Sequence, residues 1–177
     1  MIPPLNRFFC HDAVERPIER PVDADEQRLL YSGKWKRHTI KNTAITNVSN
    51  RVVYLSPTHQ GRTHDKRIAD EEQYTIGMTF PEKSRVYEDL GFIGLQWNHI
   101  TIERPHKRMP KQSLTVEQKH ENRLHAQKRV VIEHVFGRIK RFRIVKDVRR
   151  LKVHMVDDML LRIWCGIYNY TIALKPG

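Results

Sequence analysis

Strand-type patterns occupy the first half of the chain, and helical periodicity occupies the last third. Asn6–His11 predicts a short strand that ends at Asp12. The alternation over Tyr31–Asn47 predicts a hairpin partner, and the apolar run within Arg51–Ser56 predicts a third strand. Because consecutive strands usually pair, these segments predict an antiparallel meander.

The second half adds two short strands and then helices. The predicted elements are a helix from His64-Asp65 through Glu72, strands Arg85–Glu88 and Thr101–Arg104, a helix from a Thr115/Gln118 capping box to about Phe142 with a break near Leu124, and a helix Val156–Leu174. Strands followed by helices predict an α/β domain that resembles ribonuclease H, with a mixed sheet and antiparallel meander flanked by helices. The length fits a single domain over residues 1–177.

The positive charge is concentrated in one segment. From Arg104 to Lys152 there are 16 Lys and Arg against four acids, whereas the rest of the chain holds 16 of each sign. Clustered bases favour a polyanion because each neutralised phosphate releases counterions. The loop that carries Lys107, Arg108 and Lys111 is the predicted DNA contact. A basic surface without such a partner, and an anionic membrane surface, are the alternatives.

The cysteine content and the apolar runs indicate the cellular compartment of the protein. Cys10 and Cys165 are too few for a disulfide framework or a cysteine zinc site, which favours a reducing, cytoplasmic location. The most apolar stretch is interrupted by Arg162 and Asn169, and the N-terminus lacks an apolar core. No export signal or membrane span is expected.

Four acids from distant segments are candidate metal ligands. Phosphodiester cleavage by two divalent ions about 3.5–4 Å apart requires several carboxylates at one point. Asp12 and Asp89 follow strand patterns, and Glu133 lies on a helix between Arg129 and Lys140. Asp65 is a fourth ligand or a supporting group. Each of these residues alone also fits a turn, a cap or a salt-bridged helix face.

In their order, these segments resemble the nuclease domain of DDE transposases, in the branch of bacterial insertion sequences of the insertion-sequence-five group, related to Harbinger elements. The resemblance rests on Asp12-Ala-Val-Glu-Arg-Pro-Ile-Glu-Arg-Pro21, Tyr31-Ser-Gly-Lys-Trp-Lys-Arg-His-Thr-Ile-Lys41, Gly61-Arg-Thr-His-Asp65, Asp89-Leu-Gly-Phe-Ile-Gly94, and Leu114-Thr through Asn122 and Arg129-Val-Val-Ile-Glu-His134 to Lys140. It covers about residues 10–170. Ala126 and Val14 depart from the tyrosine and threonine that are usual there.

The resemblance implies roles for the acids and bases. Asp12, Asp89 and Glu133 would be catalytic, and together with Asp65 they would hold two Mg²⁺ or Mn²⁺ ions. Arg129 and Lys140 would contact DNA near the cleaved end. The implied activity is cleavage at transposon ends followed by strand transfer into target DNA.

The resemblance also implies partners. A homo-oligomer would assemble on the DNA. Because the chain reaches its first catalytic motif after eleven residues, we expect a truncated start without the family's N-terminal DNA-binding region, which an upstream-encoded half would supply.

Two other interpretations remain at this point. The first is a non-catalytic nucleic-acid-binding remnant of a transposase, which binds through phosphate contacts alone. The second is a phosphohydrolase of the HD type, with His38, His64, Asp65 and Asp89 as metal ligands.

Overall fold

The structure is a computed structural model that describes residues 7–76, 80–97, 100–150 and 154–174. The strands of these residues are β1 (Phe8–Pro17), β2 (Tyr31–Ser32), β3 (Arg37–Asn47), β4 (Val52–Leu55), β5 (His59–Gln60), β6 (Arg85–Tyr87) and β7 (Thr101–Glu103). The helices are α1 (Ala24–Leu30), α2 (Asp65–Ile76), α3 (Val116–Ile139), α4 (Arg143–Lys146) and α5 (His154–Ala173), with a short 3-10 turn at Leu90–Phe92.

The strands form one mixed sheet. Its main path runs β2, β3, β1, β6, β7, and β4 and β5 also pair with β3. β1 and β3 are antiparallel from Phe9 opposite Asn47 to Pro17 opposite Thr39, and β3 and β4 are antiparallel as well. β6 runs parallel to β1 and to β7. The predicted antiparallel meander is therefore confirmed, and it continues into a parallel half.

Helices cover both faces of the sheet because side chains of β1 alternate between two apolar clusters. Cys10 and Val14 pack with residues of α3 and α5, including Ile132 and Leu161. Phe9 packs on the opposite face in a cluster with Ala69 of α2, Phe92 and Trp97. Asp12 lies between Cys10 and Val14 on the strand and therefore faces α3.

The predicted position of Asp12 at a strand end is wrong. β1 extends to Pro17, so Asp12 is the fifth of its ten residues. The proline-containing segment after Asp12 does not end the strand, because β3 pairs with it as far as Pro17. The predicted start of this strand at Asn6 lies outside the described residues.

Helix α3 begins at the predicted capping box. The Thr115 hydroxyl accepts from the Gln118 backbone N–H at 3.2 Å, and the Gln118 side chain accepts from the Thr115 N–H at 3.1 Å. The predicted break near Leu124 is wrong. Leu124 is exposed, but the next residue, His125, occupies the buried stripe and donates from Nε2 to the Glu103 carbonyl at 2.9 Å.

Helix α1 was missed by the sequence patterns. It has seven residues, which is about two turns and too short for clear periodicity. The Asp23 carboxylate caps it by accepting from the Glu26 N–H at 2.8 Å.

Candidate active site

The parallel pairing of β1 with β6 brings two of the predicted acids near each other. Its paired residues, such as Cys10 and Tyr87, differ by 77 in number. Asp12 and Asp89 differ by the same number, and Asp89 directly continues the line of β6. The negative charge of Asp89 is felt at Asp12, where it helps to raise the pKa.

The Asp12 carboxylate is largely removed from water. Burial raises its pKa, and the Arg129 guanidinium and the Ala13 N–H oppose that rise. Arg129 Nη2 lies 3.0 Å from Asp12 Oδ2, with the two side chains 13% and 22% exposed. The Ala13 N–H donates to Asp12 Oδ1 at 2.9 Å. Arg129 therefore compensates an acid that would otherwise favour its neutral form.

Arg129, Glu133 and the C-cap residue Lys140 share one edge of α3. At 100° per residue these three positions fall within about 40° of one another around the helix axis. Burial lowers the pKa of Lys140, and the charges of Asp12 and Glu15 oppose that shift. Glu133 is exposed, and among the described residues its side chain makes no hydrogen bond or ion pair.

Asp65 lies next to the segment that follows Asp89. Lys41 Nζ of β3 donates to Asp65 Oδ1 at 2.8 Å and to the Thr63 carbonyl at 3.0 Å. Asp65 and Asp89 line one open cavity of about 430 Å³. We call this the acid cavity.

The turn that follows Asp89 closes one wall of the acid cavity. Asp89 Oδ1 accepts from the Leu90 N–H and caps the 3-10 turn. Gly91 then approaches Asp65 so closely that an added Cβ would lie 2.9 Å from Asp65 Oδ2. Glycine at position 91 thus lets the two acidic segments come together.

A buried ionic network under the site was missed by the sequence analysis. His11 Nδ1 lies 3.1 Å from Glu88 Oε1, and Arg104 donates to Glu88 Oε2 from Nη2 at 2.8 Å and from Nε at 3.1 Å. Glu88 and His11 have no solvent exposure. The sequence pattern could have indicated this network. Strand alternation places Glu88 on the same buried face as Val86, and a buried acid requires a cation.

The predicted DNA-contacting loop lies after β7. Lys107, Arg108 and Lys111 are all exposed on it. The Asn122 side chain of α3 holds the loop by accepting from the His106 N–H at 2.7 Å and donating to the His106 carbonyl at 3.1 Å.

The residues present fit a divalent ion only in part. Asp12 and Asp89 offer the hard oxygen donors that Mg²⁺ and Mn²⁺ prefer. However, Arg129 pairs with Asp12, Lys41 pairs with Asp65, and within the described ranges no three Asp, Glu, His or Cys side chains form a metal-binding group. An ion at Asp12 Oδ2 would compete with Arg129 for that oxygen.

Two further observations concern other classes of site. His38 lines a different cavity from the one that Asp65 and Asp89 line, which counts against the HD-type ligand set. Cys10 and Cys165 are free and buried, and burial raises the pKa of each thiol to about 11.

Within the described part of the chain, no helix combines the length and apolar character needed to cross a bilayer.

Comparison with known proteins places the chain in a family. A family model described as DDE superfamily endonuclease matches residues 11–169. A protein of Microchaete diplosiphon described as a probable transposase for insertion sequence element IS702 is 33% identical over 174 residues. That alignment covers 98% of this chain and 60% of the relative, so the chain spans less than two thirds of the relative's length. No solved structure matches the chain. The chain therefore belongs to the DDE superfamily endonucleases.

Proposed function

We propose that this chain is the catalytic domain of a DNA transposase, with a ribonuclease H-like fold over its 177 residues. The order of an antiparallel meander followed by two parallel strands supports that fold. The observation that carries the proposal is the nearness of Asp12 and Asp89, which is supported by the parallel pairing of β1 with β6 up to Cys10 and Tyr87 and by the effect of the Asp89 charge on the pKa of Asp12. Family membership supplies the reaction class, hydrolysis and transfer at phosphodiesters.

Asp12, Asp89 and Glu133 are the proposed catalytic ligands for two Mg²⁺ or Mn²⁺ ions. Asp65 is a further ligand or a supporting acid across the acid cavity. When bound, such ions lower the pKa of an attacking water and neutralise charge on the phosphate. Glu133 shares a helix edge with Arg129 and Lys140, both of which act electrostatically on Asp12. This shared edge supports its assignment to the same site.

The bases take the proposed role of holding the DNA. Arg129 and Lys140 lie at the acids and would position the scissile strand. Lys107, Arg108 and Lys111 would bind phosphates further along the duplex. The proposed sequence of events is nicking of an element end with water, after which the freed 3′-hydroxyl attacks target DNA.

The proposed partners are transposon ends, target DNA and further copies of the chain that pair two ends. A DNA-binding half encoded upstream is proposed as an additional partner. The proposed location is the bacterial cytoplasm, on the nucleoid.

The test is nicking of element-end DNA with Mg²⁺ or Mn²⁺. We expect activity to be abolished in Asp89→Asn and in Glu133→Gln, because each removes a charged ligand while keeping the shape of the side chain. Glu117→Gln is the matched control, since Glu117 is an exposed acid on the same helix. If Glu133→Gln nicks as well as Glu117→Gln, the assignment of Glu133 is wrong.

One observation favours a second function, a non-catalytic DNA-binding remnant. Glu133 is exposed and the described acids do not form a group of three. This function predicts DNA binding that falls with salt, has little sequence preference and does not respond to divalent ions. Absence of nicking by the parent chain, with binding retained, would support it.

A further inference from the structure

A second cavity adjoins the acid cavity and has a different character. It has a volume of about 750 Å³ and lies between α1, the β2–β3 hairpin and the loop after β5. Its lining includes Arg20, Arg28, Arg62, His38 and Tyr31, and among the residues that the structure describes no acid lines it. We call this cavity the basic groove.

The guanidinium groups of the basic groove can still bind an anion. Arg20 donates to Gln27, a neutral partner, at 2.8 and 3.0 Å. Arg28 meets Asp25 at 3.4 Å, but both side chains are more than three-quarters exposed, so this pair is weak. Arg62 makes no ion pair among the described residues. The acids Asp23, Asp25 and Glu26 of α1 and its cap are outside the lining.

Aromatic faces are available beside these bases. Tyr31 is 42% exposed and meets the His38 ring edge-on, at a centroid distance of 5.6 Å. Trp35, at the turn between β2 and β3, is 50% exposed and lies between Lys34 and Lys36. Trp35 is not part of the lining, but it is two residues from Gly33, which lines the groove. Exposed aromatic rings beside clustered bases are the elements that bind unpaired nucleotides, since a duplex keeps its base faces stacked inside.

The basic groove is continuous with the acid cavity. Tyr31, Gly33 and Arg62 line both. The loop that carries Arg62 packs directly on β3, because an added Cβ on Gly61 would collide with Thr39 Oγ1. A DNA strand with a phosphate at Asp89 could therefore extend into the basic groove without leaving the protein surface.

We propose that the basic groove binds a short unpaired segment of DNA adjoining the scissile phosphate, with bases stacked on Trp35 and Tyr31 and phosphates on Arg28 and Arg62. Its volume suits one or two nucleotides. This inference rests on the proposed transposase function, because that function supplies a cleaved DNA end next to the acids.

The experiment is a titration of the full chain with a short oligothymidylate in EDTA, followed by tryptophan fluorescence. Trp97 is 7% exposed and Trp164 stacks on Phe142 at 3.8 Å, so quenching by bases reports mainly on Trp35. We expect quenching, and affinity weaker by on the order of tenfold in Trp35→Ala measured by anisotropy of a labelled oligonucleotide. Tyr170→Ala, which removes an exposed aromatic ring from α5, is the control with unchanged affinity.

The phosphate contacts are tested by salt dependence. The double variant Arg28→Gln/Arg62→Gln should reduce the slope of log affinity against log salt by about 1.4, or about 0.7 for each lost contact to a single strand. Arg51→Gln/Arg67→Gln, two exposed arginines in the β3–β4 turn and on α2, should leave it unchanged.

Two results would overturn the inference. One is quenching of the tryptophan fluorescence by a duplex of the same length that equals the quenching by the oligothymidylate. The other is oligonucleotide binding that Trp35→Ala leaves intact. Because the titration contains no divalent ion, it is independent of nuclease activity. A chain that binds the oligonucleotide through Trp35 but never nicks DNA would refute the proposed function, and the assignment of the basic groove to unpaired DNA would stand.

Discussion

Truncation of Glu88 is the sharpest test of how the site is held together. Glu88 accepts two hydrogen bonds from Arg104 and lies 3.1 Å from His11, and it has no solvent exposure. Glu88→Ala would leave the Arg104 charge, 23% exposed, and the fully buried His11 ring without their partner. Breaking a buried ion pair in this way costs about 3–5 kcal/mol. That is a large part of the roughly 5–15 kcal/mol that stabilises a typical domain.

The assay is urea unfolding of the parent and three variants. Glu88→Ala should lower the free energy of unfolding by about 3–5 kcal/mol. Glu88→Gln keeps the volume and an acceptor oxygen but loses the charge, so about 1–2 kcal/mol is expected. Asp25→Ala breaks the exposed pair with Arg28 and should cost less than about 1 kcal/mol.

A loss below about 1 kcal/mol in Glu88→Ala, with an unchanged dependence on urea, would refute the reasoning. It would mean that water or a rearranged side chain replaces the carboxylate. The register of β1 and β6 would then be maintained by backbone pairing and the apolar cluster alone.

Two other outcomes follow from the geometry. Gly91→Ala should lower the free energy of unfolding by about 1–3 kcal/mol in thermal melts, because its methyl group meets Asp65 Oδ2 at 2.9 Å. Gly166→Ala on α5 meets open space and should raise it by about 0.5–1 kcal/mol. Equal effects of the two would contradict this account. Burial lowers the pKa of His125 below 6.5. In the window just below pH 6.5 the unfolded state therefore binds more protons than the folded state, so the free energy of unfolding rises with pH there. Above that window the contribution of His125 to the free energy of unfolding stays constant. His125→Gln should flatten that rise in urea midpoints measured from about pH 5 to 7.5; an unchanged slope would exclude His125 as its source.

Local patterns predicted most of the elements. An apolar run predicted β4, and the Thr115/Gln118 capping box predicted the start of α3. These signals are short-range, because strand alternation, helix periodicity and caps depend on residues within one or two turns. Helix α1 escaped prediction since its seven residues present too little periodicity.

The candidate site was likewise predicted only in part from the sequence. Sequence patterns and the family resemblance selected Asp12, Asp89 and Glu133 from distant segments, although Asp12 was placed at a strand end rather than at a strand centre. Patterns on one strand contain no information on its neighbour's register. The pairing of Asp12 with Arg129 and the proximity of Asp65 to Gly91 therefore could not be predicted.

By itself, the sequence determined which side chains could do chemistry and which segments would extend or coil, because those properties depend on residue type and local spacing. Only the tertiary structure decided that β1 and β6 align at a difference of 77, that Glu88 is buried against His11 and Arg104, and that a basic groove opens beside the acids. These are consequences of pairing between segments far apart in the chain, where backbone hydrogen bonds and the burial of one sheet face select a single register.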